Sequence, residues 1–356
     1  MSVRYTAVGW SRHKLVYDSI VVGAAVAFIL SFVVISKVTF PGAHGVSDEV
    51  LVLRALGTCG FTLLTITLSI GPLCRLSPRF LPVLSNRRHL GVIVFLIALV
   101  HGGFATVYYH GFGNVNPLVS LLSANTQFNS IASFPYQLLG LAALVVLFLM
   151  AATSHDYWVK NLTQRWWKRL HMMVYLAYAL LVAHVALGSL QVERNLLLPV
   201  TLATGLLCLA GLHIAAGIVE RRKDRGYPQG GSPWIDAGLA DTIPEGRARA
   251  IATSGGERIA VFRHQSALSA VANVCPHQGG PLGEGKVIDG CITCPWHGWQ
   301  IRPHDGCSPP PFAERIQTYR VRVTAGRVEV NVQALAPGAA TEPVPLRRQL
   351  QESTRG

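Results

Sequence analysis

Two short strings in the last third of the chain combine the residue types that bind metal. Cys275-Pro276-His277 is followed, after sixteen residues, by Cys294-Pro295-Trp296-His297-Gly298. Read as paired loops, they offer two thiolates and two imidazoles. That is the mixed donor set of a [2Fe–2S] centre, with cysteines on one iron and histidines on the other. Thiolates suit the buried ferric iron, and neutral imidazoles leave the outer iron less negative and raise its potential. A zinc finger has paired cysteines followed by paired histidines at wider spacing, an order that does not fit here. Cys291 and Cys294 also form a Cys-x-x-Cys pair, a spacing found in thiol redox motifs. With Cys294 assigned to the cluster, Cys291 reads as a packed thiol, and Cys307 likewise.

A second set of donors lies in apolar surroundings. His101, His171, His184 and His213 fall within long apolar stretches, and His89, His110 and His155 near their ends. Ionisable residues inside membrane helices are costly and are functional candidates. His101 follows Arg88 by 13 residues, and His184 follows Arg169 by 15. At helical rise each lies about 20 Å from a basic end. Two imidazoles at one depth can ligate a metal from two sides, and haem iron with two axial imidazoles is the usual case in a helical bundle. His171 lies about 20 Å from His184 along the axis, a second level, with His89 as a candidate partner. On a continuous helix His171 and His184 are about 140° apart, so the two levels are offset or the helix is central. The alternative is that these histidines are satisfied by backbone or hydroxyl partners, the reading that suits His110, His155 and His213.

The elements that must position these residues follow from hydropathy and charge. Half of the 356 residues are hydrophobic and 14% are charged, against roughly 25% in soluble domains; mean hydropathy is +0.37. Six apolar stretches, about 16–37, 51–73, 90–109, 136–152, 170–190 and 195–218, are each near the ~20 residues of a spanning helix, the fourth being shortest. The first starts too deep and is too long for a signal peptide. Residues 1–232 carry 18 basic and 7 acidic side chains, so +11 of the net +13 lies in this half. The basic residues cluster in alternate loops: Arg4, Arg12 and Lys14; Arg75, Arg79, Arg87 and Arg88; Lys160, Arg165, Lys168 and Arg169; Arg221, Arg222, Lys223 and Arg225. The positive-inside rule places those loops, and both termini, in the cytoplasm. The charge therefore reads as topology, and a nucleic-acid partner is not expected. A Pro/Gly/Ser-rich stretch around Tyr227 to Pro233 reads as a linker. Beyond it, Arg258–Phe262, Tyr319–Val323 and Arg327–Val332 alternate as strands do. The expected organisation is multidomain: a cytoplasmic segment 1–15, an all-α six-helix transmembrane bundle 16–220, a linker 221–233, a small all-β domain 234–333 and a disordered tail 334–356 rich in Pro, Ala, Arg and Gln.

Arg87-Arg88-His89-Leu90-Gly91 followed by His101, and Trp166-Trp167-Lys168-Arg169-Leu170-His171 followed by His184, resemble the third and fifth spans of the ferric-reductase-like transmembrane domain, over roughly residues 15–220. That superfamily includes ferric reductases, NADPH oxidases and the membrane haem subunit of a bacterial periplasmic methionine sulfoxide reductase system, and the likeness is nearest to the last type. The resemblance implies one or two b-type haems held by His101, His171 and His184, with Arg87 and Arg88 pairing with haem propionates. His89 would be the second histidine of span three, at a spacing of 12 that departs from the NADPH oxidase branch. Residues 235–332, with the Cys-Pro-Trp-His-Gly loop and the stretch Gly306 to Pro311, resemble the Rieske family. The resemblance implies a Rieske [2Fe–2S] cluster on Cys275, His277, Cys294 and His297, covered by that third stretch. The extra loop cysteines of the cytochrome bc type are replaced by Gly279 and Trp296, so the domain is similar to ferredoxin-type Rieske domains of ring-hydroxylating systems. A potential at the low end of the range from about −150 to +300 mV is expected.

No Gly-x-Gly-x-x-Gly after a strand, no phosphate-binding loop and no non-haem iron domain is evident, so an NAD(P)H or flavin site of its own is not expected. The expected function is electron transfer at a cell inner (plasma) membrane. The donor would be a cytoplasmic reductase or ferredoxin, and the acceptor ferric iron, oxygen, quinone or a periplasmic protein. The alternative is a membrane-anchored Rieske ferredoxin serving a cytoplasmic oxygenase or reductase, with the spans as anchor only. A transporter is disfavoured, since no paired broken helices or intramembrane carboxylates suggest a substrate path.

Overall fold

In a computed structural model of the chain, the described residues are 12–39, 46–80, 83, 87–154, 164–192, 197–225, 232–253, 256–277, 279–296 and 298–346. They form two compact units: a helical one, built on residues 9–73 and 86–214, and one holding the β-rich C-terminal part.

The helices are α1 (Arg12–Thr39), α2 (Asp48–Leu76), α3 (Arg87–His110), the short α4 (Pro117–Ser123), α5 (Tyr136–Ala152), α6 (Gln164–Met172), α7 (Val174–Leu187) and α8 (Leu197–Arg225). Five stretches are long and apolar enough to cross a bilayer: Leu15–Thr39, Asp48–Leu76, Arg87–His110, Trp166–Leu187 and Pro199–Arg222. The apolar α5 is the short sixth, at 17 residues. The chain is thus a multi-pass membrane protein. Its helices turn Ile20, Leu30, Val100, Leu207 and Ile214 outward, surface that belongs in lipid rather than water. The most enclosed helix is α2, with 39% of its span buried in the protein against 6% for α1. Its Leu64 and Leu68 pack with Val94, Val174, Tyr178 and Leu209. Tyr178 stacks on Phe61 at 5.1 Å and its hydroxyl meets Thr65 Oγ1 at 3.2 Å. Thr58, Thr65, Thr67 and Ser69 each donate to the carbonyl four residues back, which satisfies hydroxyls that hydrocarbon cannot. The fifth apolar stretch is not one continuous helix. It carries a tighter turn at Met173, which keeps right-handed helical dihedrals of φ −64° and ψ −9° and whose N–H donates to Leu170 O, so the roughly 140° between His171 and His184 expected for a uniform helix is altered there. The last helix continues to Arg225, five residues into the segment read as linker.

The C-terminal part contains three antiparallel sheets. One is ordered β1 (Trp234–Leu239), β10 (Arg327–Asn331), β9 (Val321–Thr324). The second runs β11 (Val344–Pro345), β4 (Ala267–Ala272), β3 (Arg258–His264), β2 (Ala248–Ala252), with β8 (Thr318–Tyr319) also on β4. The third is β5 (Lys286–Ile288), β6 (Cys291–Thr293), β7 (Gln300–Ile301). The expected strand 258–262 is β3, but it is not half-exposed. Ile259 and Val261 enter one core, and Ala260 and Phe262 the other, so both faces are covered and the run is continuously apolar. The expected strand 319–323 is divided at Arg320: Tyr319 pairs with Ala270, whereas Val321 pairs with Val330. Residues 334–346 correct the expectation of disorder. Leu335 N bonds to Thr318 O, Gly338 N to Ile316 O and Thr341 N to His304 O, and Val344 pairs with Leu268. The segment is composed like a solvated tail, but it returns to pair with the start of β4, ahead of the residues that β8 takes, and Leu346 packs on the core.

Phe262 is fully buried between the second and third sheets. Phe262→Ala should lower denaturant stability of the β part by about 3–5 kcal/mol, whereas Leu239→Ala, at a site 49% exposed, should change it by no more than about 0.5 kcal/mol.

Candidate functional site

The two cysteine strings adopt the same turn. Cys275 N donates to Gly280 O, and Gly279 N to Cys275 O, each at 2.8 Å; Cys294 N donates to Trp299 O at 2.8 Å, and Gly298 N to Cys294 O at 2.9 Å. In both, proline follows the cysteine and presets φ, and a glycine four residues on takes a positive φ, +74° at Gly279 and +71° at Gly298, which an L side chain resists. The first turn follows β4 and the second joins β6 to β7. Gly280 lets them face each other: a Cβ there would stand 2.8 Å from Cys294 Sγ and 3.0 Å from the Trp296 ring. Both cysteines are buried in one core with Phe262, Leu282, Ile292 and Trp299. The His277 ring stacks on Trp299 at 4.7 Å and 8°. Trp299 is held by Nε1 donating to Ser308 Oγ, in the third stretch, at 2.9 Å and by Phe312, just after it, at 4.6 Å. His297 lies outside the described residues. Burial pushes the Cys291 thiol up from its usual value, which agrees with a packed thiol and not a nucleophile.

Sequence reading missed a third copy of the turn, at 302–307. Arg302 N donates to Cys307 O, Gly306 N to Arg302 O, and Gly306 has φ +66°. The signal was present as Arg-Pro-His-Asp-Gly-Cys beside Cys-Pro-His-Gln-Gly-Gly and Cys-Pro-Trp-His-Gly-Trp.

In the membrane unit, the candidate imidazoles share one arrangement. His101 on α3 donates Nδ1–H to Leu53 O of α2 at 3.0 Å. His184 on α7 donates Nδ1–H to Tyr136 O, at the start of α5, at 2.8 Å. His171 on α6 donates Nδ1–H to Trp167 O of its own helix at 3.0 Å, stacks on the Trp167 ring at 3.8 Å, and its Nε2 meets Ser154 Oγ at 3.4 Å. A carbonyl only accepts, so the proton sits on Nδ1 and Nε2 carries the lone pair. For His101 and His184 the backbone-satisfied reading and the ligand reading are compatible, because they use different nitrogens; the second nitrogen of His171 meets a hydroxyl. Glycines make the room. A Cβ at Gly57 would stand 3.1 Å from His101 Cε1, and one at Gly140 2.9 Å from His184 Cε1.

His110 and His213, like His171, have both nitrogens engaged. His110 meets Ser120 Oγ at 2.9 Å and Gln137 Oε1 at 3.1 Å. His213 meets Leu209 O and the Tyr175 hydroxyl. His155 lies outside the described residues. His89 Nδ1 meets Asp18 Oδ2 at 2.9 Å. Asp18 lies inside the span Leu15–Thr39, so the expectation that no carboxylate sits within the spans fails there; one acidic residue in the first apolar stretch was the overlooked signal.

The helical unit thus carries half-buried imidazoles on its apolar helices, and the β-rich part carries two facing cysteine turns. Residues 233–320 match the Rieske [2Fe-2S] domain family, to which this part of the chain belongs, and residues 56–182 match the model of the ferric reductase like transmembrane component. It is 37% identical over 100 residues to an anthranilate 1,2-dioxygenase ferredoxin subunit of Burkholderia cepacia, covering 28% of this chain and 92% of that protein. It is 36% identical over 124 residues to a cholesterol 7-desaturase of Xenopus laevis, covering 33% of this chain and 26% of that one. It is 30% identical over 149 residues to the magnetosome protein MamZ of Magnetospirillum gryphiswaldense, covering 42% and 21% respectively. The chain thus spans about a quarter of the length of the desaturase.

Gly140→Ala should push the His184 ring off Tyr136 O and lower the haem bound per chain. Gly103→Ala, where a Cβ meets nothing within 4 Å, should leave it unchanged; a pyridine haem assay on both purified proteins checks this.

Proposed function

We propose that the chain carries single electrons between a cytoplasmic donor, a reductase or ferredoxin, and an acceptor in or across the inner membrane. When bound, a Rieske [2Fe–2S] cluster and b-type haem would supply one-electron chemistry that no side chain here provides. Cys275 and Cys294 would hold the cluster from the buried side as thiolates, and His277 and His297 from the outer side. Trp299 keeps the His277 ring in plane, and the glycine turns let two backbones approach one small group. In the membrane His101 and His184 would hold haem through Nε2, with Arg87 and Arg88 placed to pair with propionates and His171 serving an inner level. The observation that carries the reading is the matched pair His101 and His184. Each donates Nδ1–H to a carbonyl of another helix, and each sits in a glycine notch. A lipid anchor needs neither. The basic loops favour a cytoplasmic Rieske domain. Ferric iron, oxygen, quinone and a periplasmic protein are the acceptor classes that fit.

A second reading, a membrane-anchored ferredoxin, is favoured by the 37% identity to a dioxygenase ferredoxin subunit. An optical spectrum of the purified full-length protein separates the two. A b-type haem signal is expected, strongly reduced in His101→Ala and His184→Ala and retained in His110→Ala. Cluster-loaded protein lacking haem after haem-replete expression would leave only the anchor reading. For the cluster, His297→Cys should move the reduced spectrum toward the all-cysteine type and the potential toward about −400 mV; an unchanged spectrum would overturn the ligand assignment.

A further inference from the structure

The short helix α4 is turned the wrong way round for a helix in water. Its hydroxyl residue Ser120 faces inward. His110 Nε2–H donates to Gln137 Oε1 at 3.1 Å, so Nδ1 accepts from the Ser120 hydroxyl at 2.9 Å. The apolar residues of α4 face outward. Leu118, Val119 and Leu122 share one helical face, and each is more than half exposed. Val115, just before the Asn116 cap, is exposed as well. Phe112 and Ile131, on either side, are 87% and 72% exposed. In water such a face would be turned onto the protein.

Three observations say what covers it. The first is level. His110 is the last residue of α3 and Gln137 the second of α5, so their bridge holds α4 where two apolar helices end. Ser47, immediately before α2, meets the Tyr108 hydroxyl at 3.1 Å and brings a third helix end to that level. The second is continuity. Leu96, Val100 and Val107 face outward along α3, part of the surface that belongs in lipid, and α4 follows that helix closely in the chain. The third is charge. Residues 111–135 contain no Asp, Glu, Lys or Arg. A protein-docking surface has an apolar core ringed by a polar rim, and a loop in water carries charge; here the polar groups are neutral.

We propose that α4 is an interfacial helix whose Leu118, Val119 and Leu122 face is buried among lipid acyl chains just beneath the headgroups. Helices of this kind sit about 5–10 Å into that boundary. Many add attraction between Lys or Arg and anionic lipid; α4 has neither residue, so its hold rests on apolar area and is indifferent to lipid charge. Through Ser120, His110 and Gln137 that hold reaches the start of α5, beside Tyr136, whose carbonyl accepts from His184. The inference stands whether or not haem is bound.

The test places the photoreactive residue p-benzoylphenylalanine at position 118 or 122 of the full-length protein, in nanodiscs of zwitterionic phosphatidylcholine. Position 107 on α3 is the lipid-facing reference, and position 239 on β1 sets the background. After irradiation, mass spectrometry should show lipid adducts at 118 and 122 in yield comparable with 107. The yield should not change when part of the lipid is replaced by anionic phosphatidylglycerol. In native membranes the same positions should again label lipid. Adducts at 118 and 122 no higher than background, or adducts that need anionic lipid, would overturn the inference. So would crosslinks to a polypeptide at these positions in native membranes, which would make the face a protein-docking surface. As a second measurement, the double variant Leu118→Asn, Leu122→Asn should speed amide hydrogen exchange over 117–123 in the same nanodiscs, with exchange in α3 unchanged as the folding control. Unaltered exchange over 117–123 would count against a lipid-held helix and overturn the inference.

Discussion

A neutral imidazole in hydrocarbon has one N–H to satisfy, and where that proton goes decides the rest of the membrane unit. Lipid offers no acceptor, so the proton must meet an oxygen of the protein. His101 uses Leu53 O, which ties α3 to α2, and His184 uses Tyr136 O, which ties α7 to α5. Each bond requires close approach, and Gly57 and Gly140 permit it by lacking a Cβ at 3.1 and 2.9 Å from the rings. The same bonds decide which nitrogen of His101 and His184 carries the proton and which keeps its lone pair.

The β unit meets a comparable demand with backbone. A metal-binding turn must bring its donors close without a bulky neighbour intervening. Proline presets the entry, a positive-φ glycine closes the turn four residues later, and the cysteine's own N–H and C=O lock it. Burying both cysteines among Phe262, Leu282 and Ile292 excludes water from one side, which favours a shared group over separate solvated thiols. The third turn repeats the frame with Arg302 in place of cysteine. It feeds the stretch whose Ser308 and Phe312 brace Trp299 behind His277.

Much of this was legible in the residues. The paired Cys-Pro strings, the apolar stretches and the basic loops follow short-range rules of ligand chemistry, span length and charge, and each needs only a local window. Less legible were features that depend on partners distant in sequence. Strand 319–323 divides because its halves join different sheets. Residues 334–346 order because β4 offers them an edge. Asp18 was visible as a residue, but not its contact with His89, which is 71 positions away.

The sequence by itself determined the donor types, their approximate depth and the side of the membrane its charges favour, because these depend on composition and on the fixed rise of a helix. Only the tertiary structure decided which nitrogen of each histidine is held, which glycines make room and which carboxylate stands behind His89. Those choices are set by contacts between helices and between turns, and contact across tens of residues leaves no periodic trace in the chain.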